Sequence, residues 1–278
     1  MDIPSIVQEW NERHLEVQKN EVSLFRLLGT ILEEMGPCVY VEELHGHRGQ
    51  VKFESKIWPG KIIQREICDL VILVIDPRSG RARVTFHQNK FQRGTGSARY
   101  LPDFRFKADI YQYDLLAYRP KVDSVGSISL PPEVLTSTDF DSVGSYGVFF
   151  ENTSHLLDYA YSTAKWLVPE SYKVDTKLLL SNSLVGRSYA GQELLATLGL
   201  ESFLEGLFAM QIGAQLEKGT HLSDHVASLL HRAAKTISNH DSRIISIARE
   251  LVGYDSTSYE GDFRLLIIST QPDWPTSE

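Results

Sequence analysis

The sequence contains only two cysteines among its 278 residues, Cys38 and Cys68. Two cysteines are too few for a disulfide framework, and Cys68 lies in an apolar stretch that is typical of a buried strand. Long hydrophobic runs are also absent, since the longest one, 70–75, is far shorter than the roughly 20 residues of a membrane-spanning helix. The first ten residues lack the basic and then apolar layout of a signal peptide. The sequence therefore predicts a cytoplasmic protein with no membrane partner.

The motifs of several common enzyme classes are missing as well. There is no Gly-x-x-x-x-Gly-Lys-Ser/Thr phosphate loop, no dinucleotide-binding fingerprint and no serine in a Gly-x-Ser-x-Gly setting. His221, His225 and His231 have no cysteine or catalytic glutamate beside them, which argues against a zinc site. Nucleotide-dependent enzymes and serine hydrolases therefore have no support.

Charge is unevenly distributed along the chain. The net charge is −8, yet the segment 48–107 carries 13 lysines and arginines against five acids, so the remaining residues carry a net −16. Binding of a polyanion depends on the local charge that faces the phosphates rather than on the overall charge. The basic segment therefore favours a phosphodiester ligand despite the acidity of the whole chain.

Hydrophobic periodicity predicts an α/β protein with a late helical region. Helices are expected over 3–18, 21–35, 107–118 and 154–167, and strands over 38–44, 50–57, 66–76, 82–91 and 145–150. Beyond residue 170 the pattern predicts helices over 188–198, 200–217, 222–236 and 240–252, with one strand over 263–269. We therefore expect a core with N-terminal helices over 1–168 and a mainly helical C-terminal region over 169–278 that packs on it.

Polar residues that suit phosphodiester chemistry lie on two neighbouring predicted strands. Asp69 stands near the start of the first, and Gln88 and Lys90 share one face of the second because alternate residues of a strand point the same way. The turn at 76–81 would fold the two strands together and bring Asp69 close to both. Carboxylate and carbonyl oxygens bind Mg²⁺, and an ammonium group stabilises charge that develops on a phosphate.

A further carboxylate comes from the phase of the second helix. At 100° per residue, Glu21 falls within the apolar face that is centred between Leu28 and Met35. A carboxylate on the face that packs on a sheet needs a partner, and a metal site shared with Asp69 would provide one. The alternative is that Glu21 only complements the positive end of the helix dipole.

These residues resemble the PD-(D/E)xK nuclease superfamily over residues 20–165. The resemblance consists of Glu21 on the first core helix, Asp69 at a strand start and the Gln88-Asn89-Lys90 half-motif, followed by a helix and a strand. It implies a restriction-endonuclease-like fold, with a central mixed β-sheet flanked by helices. It also implies that Asp69 and Gln88 bind Mg²⁺, for which Mn²⁺ can substitute. Lys90 would orient the attacking water, and Glu21 would assist the metal or the water.

Two positions depart from the family pattern. Cys68 stands where the family has a proline, a difference that the family tolerates. Gln88 replaces the second acid, and a neutral amide binds Mg²⁺ more weakly than a carboxylate does. The second departure motivates an alternative function, a non-catalytic nucleic-acid-binding or assembly protein that retains a degenerate nuclease fold.

Plainer interpretations also remain open for the residues themselves. Asp69 could pair at the surface with Arg65 or Lys61, which would have little energetic consequence. Gln88 and Lys90 could form the solvated face of an amphipathic strand.

A second set of basic residues flanks the Gly/Ser loop at 94–97. Lysine and arginine side chains along such a segment can neutralise phosphates, although charged loops are also common without that role. The candidate nucleic-acid contacts are Arg93, Arg99, Arg105 and Lys107.

The resemblance therefore predicts a Mg²⁺-dependent nuclease that hydrolyses DNA phosphodiester bonds, of the type II restriction kind. The sequence leaves RNA open as a substrate. Cutting both strands of a duplex would favour a homodimer, because a twofold protein matches twofold DNA.

Overall fold

The computed structural model of the protein describes residues 3–34, 49–76, 81–92, 103–126, 129–151, 156–216, 226 and 266–269. Within these residues the helices are α1 (Ile3–Arg13), α2 (Glu21–Glu34), α3 (Ile110–Tyr118) and α4 (Leu200–Phe208). The strands are β1 (Gln50–Glu54), β2 (Ile62–Glu66), β3 (Leu70–Asp76), β4 (Arg81–Gln92), β5 (Asp103–Asp109), β6 (Val122–Ser124), β7 (Gly144–Glu151), β8 (Leu157–Thr163), β9 (Val168–Pro169), β10 (Asp175–Ser181), β11 (Ser188–Tyr189), β12 (Glu193–Leu194), β13 (Ala196–Leu198), β14 (Ala214–Gln215) and β15 (Leu266–Ser269). None of these helices has the length and apolar character that crossing a membrane would require.

The largest sheet joins seven of the described strands. Its order is β13, β8, β7, β4, β3 and β15, and β14 also pairs with β4. β3 and β4 form an antiparallel hairpin, whereas β4 and β7 are parallel and are connected through the segment that contains α3. The sheet is therefore mixed, and the expected α/β class with a central mixed sheet is confirmed.

Three smaller sheets form beside the central one in the described part of the chain. One has the order β2, β1 and β6, and another has the order β5, β10 and β9. β10 pairs with β5, and β13 pairs with β8, so residues from both sides of position 168 share sheets. The division of the chain into 1–168 and 169–278 stays a prediction.

The two faces of the central sheet are buried by different elements. One face carries Phe86, Tyr146 and Val148 and packs with apolar residues of α3, β1 and β5. The other face carries Phe149 and Tyr159 and packs with α1, α2 and α4. β4 lies in the middle of the sheet and is therefore covered on both sides.

Side-chain caps set the starts of the two helices that matter for the site. The Asn20 side chain accepts a hydrogen bond from the Ser23 N–H at 2.8 Å, which satisfies one of the free donors of the first turn of α2. The Asp109 side chain does the same for α3, where it accepts from the Tyr111 N–H at 2.7 Å. As a result Glu21 is the first residue of α2, and α3 begins directly after β5.

Several predicted helices are wrong. The segment 154–167 contains β8, and the segment 188–198 contains β11, β12 and β13. α4 ends at Phe208, so only part of 200–217 is helical. The described residues 169–216 are thus mostly strands and turns, not the mainly helical region that was expected. β8 is buried along nearly its whole length, and a strand covered on both faces lacks the alternation that distinguishes it from a helix.

Other elements differ in extent or were not predicted. The strands expected over 50–57, 66–76, 82–91 and 145–150 are confirmed as β1, β3, β4 and β7, and the late strand over 263–269 appears as β15. β2, β5 and β10 were not predicted, and β5 occupies the start of the helix expected over 107–118. Outside the described residues lie the strand expected over 38–44, the helix over 240–252 and all but residue 226 of the helix over 222–236.

A buried chain of hydrogen bonds crosses the sheet on the face that α4 covers. The Tyr159 hydroxyl donates to Asn89 Oδ1 at 3.0 Å and lies 2.5 Å from His87 Nε2. Because the tyrosine proton is used on Asn89, the Nε2–H of neutral His87 is the donor to Tyr159. His87 Nδ1 then accepts from Ser145 Oγ at 2.7 Å. Burial lowers the pKa of His87 to about 3, so this ring is neutral at physiological pH.

Acidification is expected to destabilise the fold through His87. An unfolded histidine has a pKa of about 6.5, and that of folded His87 is about 3. Between these values the unfolded chain binds a proton that the folded chain does not, so the free energy of unfolding falls as the pH falls. The slope from this group is at most about 1.4 kcal/mol per pH unit. Urea unfolding between about pH 4 and about pH 7 measures it, and His87→Gln should flatten the dependence. An equally steep dependence in the variant would contradict the assignment.

Candidate functional site

Asp69 and Gln88 lie side by side at one end of the β3–β4 hairpin. The pairing of Leu70 with His87 sets Asp69 opposite Gln88, and the Asp69 N–H donates to the His87 carbonyl at 3.1 Å. One carboxylate oxygen of Asp69, Oδ2, accepts from the backbone N–H of Asn89 at 2.7 Å and also from the Gln88 side-chain amide. The antiparallel register thus produces the proximity that the sequence predicted for these two residues.

Asp69 is held as a buried acid. Only 3% of its surface is exposed. Burial raises the pKa of this carboxyl group, while the positive charge of Lys90 and the hydrogen bonds from Asn89 and Gln88 oppose the rise without cancelling it. The ionised form of Asp69 therefore costs stability in the folded chain, which is unusual for a residue with only a structural role.

Lys90 forms an ion pair with Glu21. Its Nζ lies 3.0 Å from Glu21 Oε1, and both side chains are partly exposed, by 21% and 31%. Lys90 also lies close enough to Asp69 for its charge to lower the pKa of that carboxyl. The structure thus brings Glu21, the first residue of α2, to the same end of β4 as Asp69, Gln88 and Lys90.

The plainer interpretations of Asp69 and Gln88 are wrong. Both residues are almost completely buried, so neither lies on a solvated face. The cations suggested as partners of Asp69 are engaged elsewhere: Arg65 donates to Asp109 at 3.2 Å, and Lys61 donates to the Tyr111 hydroxyl at 2.6 Å.

Tyr146 is a neighbour of this site that the sequence analysis missed. It pairs with Gln88 across the parallel β4–β7 ladder and is fully buried. Burial raises the pKa of its hydroxyl, and the nearby negative charges, which include those of Asp109, Asp69 and Glu21, act in the same direction. The hydroxyl of Tyr146 and Oε1 of Gln88 are both buried without a hydrogen-bond partner among the described residues. No local pattern identifies Tyr146, because strand order alone makes it a neighbour of Gln88.

The donor atoms around Asp69 are of the kind that Mg²⁺ prefers. Asp69 offers a carboxylate, and the unpartnered Oε1 of Gln88 offers an amide oxygen. Glu21, which bonds to Lys90, carries a second carboxylate at the same end of β4. In the described part of the chain, no three His, Cys, Asp or Glu side chains are grouped so that they could hold a metal. A bound ion would therefore depend on the Gln88 oxygen and on water for its remaining ligands, which Mg²⁺ commonly retains.

Two of the four expected nucleic-acid contacts can be located. Arg105 of β5 donates to Glu170 Oε1 at 2.6 Å, so its charge is shared with an acid. Lys107 is exposed and lies directly opposite Lys177 of β10, which is also exposed. Like charges at this spacing repel each other, and an anion between them would relieve the repulsion. Lys177 was missed because its strand was not predicted. The residues that fall outside the described ranges are Arg93 and Arg99.

Comparison of the chain with protein-family models, with curated proteins and with solved structures finds no match. The resemblance to PD-(D/E)xK nucleases therefore stays a prediction that rests on the four residues and their arrangement. The chemistry of the site has to be argued from its own atoms.

Asp69→Asn is expected to stabilise the protein at neutral pH. Both hydrogen bonds to this side chain end on one oxygen, Oδ2, so the single oxygen of asparagine can accept the backbone bond from Asn89 while the buried charge is removed. Because folding raises the pKa of Asp69, the gain should be present above that raised pKa and should disappear as the pH falls below the unfolded value of about 4. We expect a gain of about 1 kcal/mol in urea unfolding at pH 7.

Asp114→Asn is the matched control, since Asp114 is also fully buried. Its two oxygens accept from different backbone donors, Oδ1 from the Lys56 N–H at 3.1 Å and Oδ2 from the Ile57 N–H at 3.4 Å, and Oδ2 also accepts from Ser55 Oγ. An amide must lose one of these bonds, so this variant should be less stable than the wild type. If Asp69→Asn lost as much stability as Asp114→Asn, Asp69 would be a structural residue.

Proposed function

We propose that this protein is a Mg²⁺-dependent nuclease that hydrolyses DNA phosphodiester bonds with a Gln-x-Lys variant of the PD-(D/E)xK site. One observation carries the proposal: a buried carboxylate, Asp69, lies beside an unpartnered amide oxygen and a lysine at one end of a strand hairpin. A carboxylate that costs stability and is surrounded by groups of complementary chemistry is a candidate for function.

Each residue has a distinct role in this proposal. Asp69 and Gln88 would hold the ion through their oxygens, and the bound ion would supply a Lewis acid for the phosphate and lower the pKa of a water molecule. Lys90 presents an ammonium group to the negative charge that develops on the phosphate during attack. Glu21 fixes the position of that ammonium through the 3.0 Å ion pair. Tyr146, which pairs with Gln88 on the neighbouring strand, would donate its hydroxyl proton to an oxygen near Gln88.

Basic residues at the surface support a nucleic-acid substrate. The segment 48–107 carries the excess positive charge, and the pair formed by Lys107 and Lys177 presents two exposed ammonium groups on adjacent strands. Such groups bind phosphates without reading the base sequence. A homodimer on duplex DNA and a location in the cytoplasm belong to the same proposal.

One observation favours the alternative, a nucleic-acid-binding protein without catalysis. The amide nitrogen of Gln88 donates to Asp69, so the two side chains satisfy each other in part without a cation. Because this hydrogen bond occupies an oxygen of Asp69, it would weaken metal binding.

Purified protein is expected to cleave duplex DNA in the presence of Mg²⁺ or Mn²⁺, and removal of the metal by a chelator should stop the reaction. Lys90→Ala and Asp69→Asn should each lower the single-turnover rate by about 100-fold or more, since each removes a group that stabilises charge in the transition state. Gel analysis of a plasmid substrate measures the rate.

Lys121→Ala is the matched control for Lys90→Ala, because Lys121 forms a similar ion pair with Glu133, at 2.9 Å, on an exposed surface. It should cleave like the wild type. Wild-type protein that retards DNA on a gel yet leaves it intact with either metal would reject the nuclease. In that case, cleavage gained by Gln88→Glu would identify the protein as the degenerate form, because the second carboxylate restores the stronger metal ligand.

A further inference from the structure

The turn between β1 and β2 is held in place by a buried acid. Asp114 of α3 is fully buried, and its carboxylate accepts from Ser55 Oγ and from the backbone N–H groups of Lys56 and Ile57. Ser55 Oγ in turn accepts from the Trp58 N–H at 2.8 Å. The buried carboxylate of Asp114 thus fixes the backbone of the turn between β1 and β2. Trp58 lies on this turn.

Two aromatic rings and two cations meet at this turn. Trp58 is half-buried and lies 5.2 Å from the ring of Tyr111, at an interplanar angle of 59°. The exposed Lys61 places its ammonium 4.7 Å from the Tyr111 ring and 5.5 Å from the Trp58 ring. The guanidinium of Arg65 lies 4.9 Å from the Tyr111 ring. We refer to Trp58, Lys61, Arg65 and Tyr111 as the Trp58 platform.

The Trp58 platform lies next to the segment that leads into the candidate active site. Tyr111 is followed in α3 by Gln112, whose side-chain amide donates to the Ile67 carbonyl at 3.1 Å. Ile67 is two residues before Asp69. Arg65 is also bonded to Asp109, at 3.2 Å, and Asp109 caps α3. The first turn of α3 therefore links the platform to Ile67, which lies just before Asp69.

This chemistry fits an unpaired nucleotide. Aromatic side chains bind the flat faces of bases that are not stacked in a duplex, and neighbouring cations bind the adjoining phosphates. In a duplex the base faces are covered, so a ring on a fixed turn gains little from duplex DNA. Besides Lys61 and Arg65, the same hairpin exposes Lys52 and Lys56.

We propose that the Trp58 platform binds single-stranded DNA, with a base stacked on Trp58 and its phosphate at Lys61, and that it directs the strand toward Asp69. The direction toward Asp69 rests on the proposed nuclease function, whereas the binding itself does not require catalysis. The platform would then add DNA with an unpaired segment, such as a flap, an end or a frayed duplex, to the duplex substrates of the proposed nuclease.

The test measures binding without catalysis. A labelled oligothymidine of about 20 nucleotides, and a duplex of the same length, are titrated with the full chain in the presence of a chelator, by fluorescence anisotropy. We expect Trp58→Ala to weaken binding of the single strand by about tenfold or more, and Trp58→Phe to retain most of the affinity. Lys61→Gln should reduce the slope of log affinity against log salt by about 0.7, the value for one single-strand phosphate.

Trp166→Ala is the matched control, since Trp166 is half-buried beside Tyr189, at 6.3 Å between ring centroids. It should bind like the wild type. If Trp58→Ala fails to fold, quenching of tryptophan fluorescence by the oligonucleotide replaces it as the readout. The quenching should be lost in Trp58→Phe and kept in Trp166→Phe.

Three results would overturn this inference: equal binding by folded Trp58→Ala and the wild type, quenching that persists in Trp58→Phe, or a wild type that fails to bind the single strand. If any of these results is found and DNA is still cleaved in a Lys90-dependent way, the platform is rejected and the nuclease proposal is retained. Trp58-dependent binding by a protein that never cleaves would reject the nuclease and retain the platform.

Discussion

The hydrogen bond from the Asn89 N–H to Asp69 is the interaction on which the site depends. It exists because β3 and β4 pair with Asp69 opposite Gln88, and a shift of one residue would turn Gln88 and Lys90 toward the opposite face. The same bond favours the ionised carboxylate and so opposes the rise in the pKa of Asp69 that burial causes. The register therefore fixes both the geometry of the site and its energetic cost.

β4 connects two buried systems because its successive residues face opposite sides of the sheet. Gln88 and Lys90 belong to the side with Asp69, whereas His87 and Asn89 belong to the side where the Tyr159 hydroxyl bridges them. Asn89 takes part in both systems. Its side chain is the last acceptor in the chain of hydrogen bonds through His87 and Tyr159, and its backbone N–H donates to Asp69. The hydrogen bonds on the Tyr159 side of the sheet thus help to fix the position of β4. Because β4 is bonded on both sides, the site residues that it carries have little freedom to move.

The acids of this molecule serve different purposes according to where their donors lie. Asp114 uses both oxygens to hold the Ser55–Trp58 turn, and Asp109 caps α3, so both are structural. Asp69 uses one oxygen to accept from both Gln88 and Asn89 and lies beside an unpartnered amide oxygen. Donor geometry, more than burial alone, separates the candidate functional carboxylate from the structural one.

The sequence by itself determined the local features: the basic segment, the shared face of Gln88 and Lys90, and the position of Glu21 at the start of α2. These follow from periods of two and 3.6 residues, which are properties of a single strand or helix. It did not determine that β8 is a strand, that Tyr146 lies beside Gln88 or that Trp58 meets Tyr111. Only the tertiary structure decided these features. The two contacts join residues that are distant in sequence, and a strand that is buried on both faces shows no alternation of polar and apolar residues.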